Sequence, residues 1–252
     1  MPLEHGIAWS VEEGIGRIVL RRPERANAIG AASSRALVRA IDEVLAAAPR
    51  VVLLTGEGRV FCAGGDIEEF VAAGEKLPAL VDEILDPLHP ALLRLVNGPA
   101  PLVTVLNGAA GDFVLAAESM KLRTGYAAIG LSPDAGSSWF LARRIGALRA
   151  QQWLMLSDPI DSQRCLAAGA VDALHPDAEL VAAGEALARR LAAGAPGSFA
   201  AIKALCADAP GRTLEAHLAL EHRLLRERAG SADAREGVAA FLQKRAPRFG
   251  AG

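Results

Sequence analysis

Residues 51–67 read Val51-Val52-Leu53-Leu54-Thr55-Gly56-Glu57-Gly58-Arg59-Val60-Phe61-Cys62-Ala63-Gly64-Gly65-Asp66-Ile67. The apolar run Val51 to Thr55 has the length and β-branched content of a buried strand. Gly56 and Gly58 break it, and a helical pattern begins after Asp66. Between strand and helix lies a loop of very small side chains, Ala63-Gly64-Gly65. Such side chains cannot cover the backbone, so the loop's N–H groups are expected to be free to point at a ligand. The first helical turn adds partial positive charge. Asp66 is well placed as an N-cap. The plain alternative is an ordinary strand–helix turn with a cap.

The chain around this stretch has 252 residues, 52% of them apolar. That suffices for one large domain, or for a core with a small extension. Net charge is −2, from 27 basic and 29 acidic residues, which provides no field for nucleic acid or an anionic membrane surface. Aromatic residues make up 4%, too few for base-stacking platforms. Three cysteines, Cys62, Cys165 and Cys206, form no CxxC pair and suggest reduced thiols and a cytoplasmic location. Met1 to His5 lacks the pattern of a signal peptide. No apolar run is long enough to span a bilayer.

Ile7 to Val11 and Gly16 to Leu20 read as short strands, and Ser33-Ser34 as the cap of a helix with Leu37, Ile41 and Val44 on one face. From Leu77 to Val96 the pattern is helical, but Pro78, Pro87 and Pro90 suggest more than one short helix. Leu102 to Leu106 is another buried strand, followed by the turn Asn107-Gly108. Met120 to Thr124 alternates like a strand. Ala193-Gly194-Ala195-Pro196-Gly197 marks the main break in composition. Residues 1–195 are therefore expected to form the core and 196–252 a helical extension, with Leu214, Leu218 and Leu225 in an apolar stripe.

Taken as a set, Phe61-Cys62-Ala63-Gly64-Gly65-Asp66-Ile67, Arg22-Pro23-Glu24-Arg25-Ala26-Asn27-Ala28 and Ile129-Gly130-Leu131-Ser132-Pro133-Asp134-Ala135-Gly136 resemble the crotonase superfamily of enoyl-CoA hydratases and isomerases. Pro101 to Ala110, Ala167 to Asp172 and Glu236 to Phe249 follow in the family's order, so the similarity spans nearly the whole chain. The resemblance implies an α/β spiral of strand–strand–helix turns with a C-terminal helical trimerisation region, assembled as a homotrimer or a dimer of trimers. It implies an acyl-CoA thioester as substrate, with coenzyme A part of the substrate and no separate cofactor. The Ala63 N–H would be one oxyanion-hole donor, and Gly64, Asp66 and Ile67 would lie along the substrate. Arg25, Ala26 and Ala28 would line the CoA nucleotide, with Arg25 near phosphate. Lys244 and Phe249 would reach a CoA on an adjacent subunit, or else form an exposed basic end.

The sequence departs from the family after Asn107-Gly108-Ala109-Ala110. Roughly ten residues, close to three helical turns or about 15 Å, are missing before Phe113. The second oxyanion donor then comes from Gly111, is displaced, or is absent, and Asp112 nearby would repel an enolate. Hydratases carry two glutamates; the first has no counterpart, and Tyr126-Ala127-Ala128 stands where the second is expected. Asp134 is the acid of its segment, either as the base of a double-bond isomerase or as a helix cap. The reading is an enoyl-CoA isomerase, with a hydratase or a catalytically impaired paralogue as alternatives. A Rossmann enzyme is disfavoured because Phe61 sits where GxGxxG needs its last glycine. Pro133-Asp134 after Ser132 disfavours a serine hydrolase. The five histidines form no HxxxH or HxH, so no metal site is expected.

Overall fold

The computed structural model describes residues 1–105 and 111–250. The chain opens with an antiparallel ribbon, β1 (Leu3–Glu4), β2 (Ile7–Glu12) and β3 (Ile15–Leu20). Thereafter each further strand of the main sheet adds in parallel. Helix α1 (Ala31–Ala46) leads to β4 (Val51–Gly56); α2 (Ile67–Ala73) and α3 (Leu77–Asn97) lead to β5 (Leu102–Val105); β6 (Phe113–Ala117) follows. An outlying lobe comprises β7 (Lys121–Leu122), α4 (Ser137–Ile145), α5 (Ala147–Leu156), β8 (Ile160–Asp161) and α6 (Ser162–Ala168). Then β9 (Ala173–His175) rejoins the sheet, α7 (Leu180–Ala192) packs on it, and α8 (Pro196–Ala207), α9 (Leu214–Ala229) and α10 (Ala232–Leu242) end the chain. The main sheet runs β1-β2-β3-β4-β5-β6-β9.

The pleat of the central strands sorts the core into two layers. Val52 joins Ile18, Leu102 and the buried faces of α1 and α3, while Val51 and Leu53 join Ile15, Val103, Val105 and α7. With helices on both faces, the parallel strands read as continuous apolar runs rather than alternating ones. Gly184 of α7 shows how close this packing is: a Cβ there would lie 2.3 Å from Val105 Cγ2.

Residues 77–97 form one continuous helix, not the several short ones that the prolines suggest. Ile84, Leu88, Ala91 and Leu95 make a buried stripe against α1. Arg35–Glu83 at 2.5 Å and Arg94–Asp42 at 2.5 Å clamp its ends to α1. A proline at 87 cannot donate within the helix, and the cost is borne because α3 is anchored on α1, where the Ser34 hydroxyl also donates to the Ile84 carbonyl at 2.7 Å. Tertiary packing here overrides local propensity. The strand expected over Met120 to Thr124 shrinks to Lys121–Leu122, because Thr124 turns away to donate to the Trp153 carbonyl at 2.8 Å.

Only residues 106–112 separate the parallel neighbours β5 and β6. A helical crossover takes a dozen residues or more, so this connection is shorter than that unit. Gly111 and Asp112 lead into the amino end of β6. The Asp112 amide donates to the Leu102 carbonyl at 2.9 Å, and its carboxylate accepts from the Leu102 amide and pairs with Lys203 of α8, each at 2.8 Å. The C-terminal segment is also tied back, with Arg50 donating to the carbonyls of Gly194 at 2.7 Å and Phe249 at 3.3 Å.

Candidate active site

The loop of residues 57–66 leaves the carboxyl end of β4 and is laced to residues 22–29. Asn27, buried and at φ 54°, does most of the lacing. Its Nδ2 donates to the carbonyls of Glu57 at 2.9 Å and Val60 at 2.7 Å, and its Oδ1 accepts from the Arg22 amide at 2.7 Å. Asparagine tolerates this left-handed conformation better than most residues. Farther along, Ile29 N donates to Gly64 O at 2.8 Å and Asp66 N to Ile29 O at 3.0 Å, a short parallel ladder. Gly65 is required beneath it, since a Cβ would meet the Phe70 ring at 2.4 Å.

Asp66 does cap α2, accepting from the Glu68 amide at 3.2 Å. It is also almost fully buried, and Arg25 reaches both its oxygens at 3.1 Å while Arg22 approaches at 3.5 Å. Burial alone would push the Asp66 carboxyl up. The Arg25 hydrogen bonds and charge, with the amides of Glu69 and Glu68, outweigh it and hold the group below the usual carboxylate range. Arg25 spends its other nitrogen on Glu68 at 2.6 Å. Both residues expected along a substrate are therefore joined to each other first. Ala28 is buried, Ala26 half-buried, and Ala63 and Ile67 exposed.

The Ala63 amide is not free, as its small neighbours suggested. It donates to the Ala26 carbonyl at 3.0 Å, and the Gly64 amide faces the Cys62 sulfur at 3.4 Å. Ala26 holds its carbonyl there from a left-handed conformation, φ 49° and ψ 31°. Small side chains did expose the loop; they did not determine which acceptor the amide finds.

Asp134 lies on the segment between the 3₁₀ turn of residues 127–129 and α4. It does not cap α4: Gly136 occupies the N-cap with no side-chain bond. Instead Asp134 Oδ1 accepts from the Tyr126 hydroxyl at 2.9 Å, and Ser137 Oγ donates to the Tyr126 oxygen at 3.2 Å. The Asp134 charge is also felt at Cys62, next to Ala63. Burial pushes the neighbouring Cys62 thiol up, the Gly64 amide draws it down, and the Asp134 charge raises it further. A thiol held protonated in this way is no nucleophile. The structure thus places the Asp134 carboxylate in electrostatic reach of the loop that carries Ala63.

Gly111 is not brought to that place. It leads into the amino end of β6, its carbonyl accepting from Arg144 at 3.2 Å, whereas Ala63 follows the carboxyl end of β4. Asp112, expected to repel an enolate, is neutralised by Lys203 beside the first residue of β5. Asn107 to Ala110 lie outside the described residues. Phe249 sits by Arg50 and Gly237, and Lys244 is exposed just after α10. Two residues of the site had no assigned role in the sequence, Asn27 and Tyr126. A left-handed asparagine leaves no periodic signal, and the chain's single tyrosine meets Asp134 through a loop.

Residues 10–252 match the enoyl-CoA hydratase/isomerase family model. A probable enoyl-CoA hydratase of Rhodobacter capsulatus is 36% identical, over 97% of this chain and 98% of that protein. The 1,2-epoxyphenylacetyl-CoA isomerase of Escherichia coli is 34% identical, over 95% and 96%. Among solved structures, an enoyl-CoA hydratase from Polaromonas sp. JS666 superposes with a TM-score of 0.88 at 31% identity, covering 97% of this chain and 99% of that one. The spiral of parallel strands, the Ala63 loop and these likenesses lead to one assignment: the chain belongs to the enoyl-CoA hydratase/isomerase family of the crotonase superfamily.

Proposed function

We propose that the protein binds an acyl-CoA thioester and moves a carbon–carbon double bond, with Asp134 as acid and base and the Ala63 amide as donor to the thioester oxygen. The observation that carries this reading is the Asp134 carboxylate, which accepts from Tyr126 instead of capping α4 and whose charge is felt at Cys62, next to Ala63. A thioester acidifies its α-protons, and hydrogen-bond donors to its oxygen stabilise the enolate. One carboxylate can then take a proton at one carbon and return it two carbons away. Hydration would also require activated water, and Tyr126-Ala127-Ala128 supplies no second acid. Gly111 has no part in the proposal. A missing second donor would cost roughly 2.7–4 kcal/mol, a factor of about 10²–10³ in rate.

Arg25, Ala26 and Ala28 form the nucleotide side of the same site. Arg25 would receive phosphate by releasing Glu68, whose side chain is 77% exposed. The proposal includes assembly as a trimer or a dimer of trimers through α9 and α10, with Lys244 near the CoA of an adjacent subunit.

Purified protein offered 3-enoyl-CoA and 2-enoyl-CoA should isomerise the first faster than it hydrates the second. Asp134→Asn should lower isomerisation at least about 10²-fold with an unchanged melting temperature. Wild-type turnover by this variant would remove Asp134 from the mechanism. The engaged Ala63 amide and the short connection after β5 favour a second reading, a crotonase-like binder without turnover. It predicts that acyl-CoA raises the melting temperature while neither reaction is seen.

A further inference from the structure

Tyr126 is half-buried, and its hydroxyl stands between two partners: it donates to Asp134 Oδ1 at 2.9 Å and accepts from Ser137 Oγ at 3.2 Å. Ser137 begins α4, and its amide also donates to the Asp134 carbonyl at 2.9 Å. Among the described residues nothing donates to Asp134 Oδ2. Among the described residues the carboxylate is therefore held at one oxygen only. Burial pushes the Tyr126 phenol up to about 12, against the Ser137 hydrogen bond and with help from the Asp134 charge and hydrogen bond. It stays protonated at neutral pH and donates.

We propose that Tyr126 is the positioning residue of the proton shuttle, pinning Oδ1 of Asp134 so that Oδ2 carries the proton between the two substrate carbons. This rests on the reading of Asp134 as acid and base. A hydrogen bond to a carboxylate is short, directional and stronger than a neutral one. The bare rotation about the Asp134 side chain would otherwise let either oxygen swing away from the α-carbon, and misplacement by about 1 Å can cost about 10²-fold in rate. A purely space-filling tyrosine would be replaced by phenylalanine without consequence, which separates the two roles.

Tyr126→Phe should lower kcat about 10- to 100-fold on 3-enoyl-CoA, with KM within about twofold and the melting temperature unchanged. Ser137→Ala should give a smaller loss in kcat of the same kind. The double variant Tyr126→Phe/Asp134→Asn should be no slower than Asp134→Asn alone, because the tyrosine acts through the carboxylate. A readout independent of turnover comes from the single tyrosine. Protein labelled with ring-¹³C tyrosine gives one phenol resonance, which should move in Asp134→Asn and in Ser137→Ala. A resonance indifferent to Asp134→Asn, or Tyr126→Phe at wild-type kcat, would overturn the positioning role and leave the proposed reaction standing. A resonance that responds to Asp134→Asn in a protein with no turnover of either enoyl-CoA would remove the reaction, and with it the role assigned to Tyr126.

Discussion

Asp66 joins a helix cap to an ion pair, and both depend on its charge. Its carboxyl is held below its ordinary value of 3.8 in the folded protein. The stabilisation is therefore fully present above that value and is lost as pH falls through the lowered one. Asp66→Asn should cost roughly 1–3 kcal/mol at neutral pH and should flatten the fall in stability below about pH 4. Urea midpoints of both proteins at neutral and acid pH measure this; an equally steep acid loss in the variant would show that other carboxylates carry it. Side-chain size and type made much of this residue scale readable. Ala63, Gly65 and Asp66 identify a loop and a cap, and Asp134 stands out as the acid of its segment. The partners were not readable. Ala26 meets Ala63, and Tyr126 meets Asp134, across turns whose geometry follows from tertiary packing rather than from spacing.

At the scale of elements, α3 shows where local rules fail. Pro87 and Pro90 read as breaks, yet the helix passes through them because the Ile84, Leu88, Ala91 and Leu95 stripe has α1 to pack on. Pro90 is exposed, so its ring adds little packing while it removes a helical hydrogen bond. Pro90→Ala should raise stability by about 1–2 kcal/mol, the helical gain being reduced by a more flexible unfolded chain. Thermal and urea unfolding test it, and a loss of stability would mean that the ring itself shapes the helix. The apolar strands β4 and β5 were plain in the sequence, since burial on both faces leaves continuous apolar runs. The short link between β5 and β6 was legible too, as missing length, but its direction was not: Gly111 and Asp112 face the amino end of the sheet.

On the whole molecule, the C-terminal helices display apolar residues that their own chain does not cover. Leu214 is 73% exposed, Leu218 53%, Leu225 71% and Phe241 84%. Scattered exposed apolar residues are common, but a helical stripe of them usually meets a partner. Sedimentation of the wild-type protein should give an oligomer, and Leu218→Glu with Phe241→Glu should shift it to monomers with the core still folded. A monomeric wild type would sink the assembly proposal. Among the described residues no helix is long and apolar enough to cross a membrane.

The bond from the Ala63 amide to the Ala26 carbonyl changes what that amide can contribute. A resting thioester oxygen that displaced Ala26 would substitute one neutral acceptor for another, with little net gain in affinity. An oxygen gathering negative charge would bind the same amide about twice as strongly. If the proposed reaction holds, the internal carbonyl would act as a competitor that only the activated form of a ligand outbids, and this contact would speed the reaction more than it tightens binding.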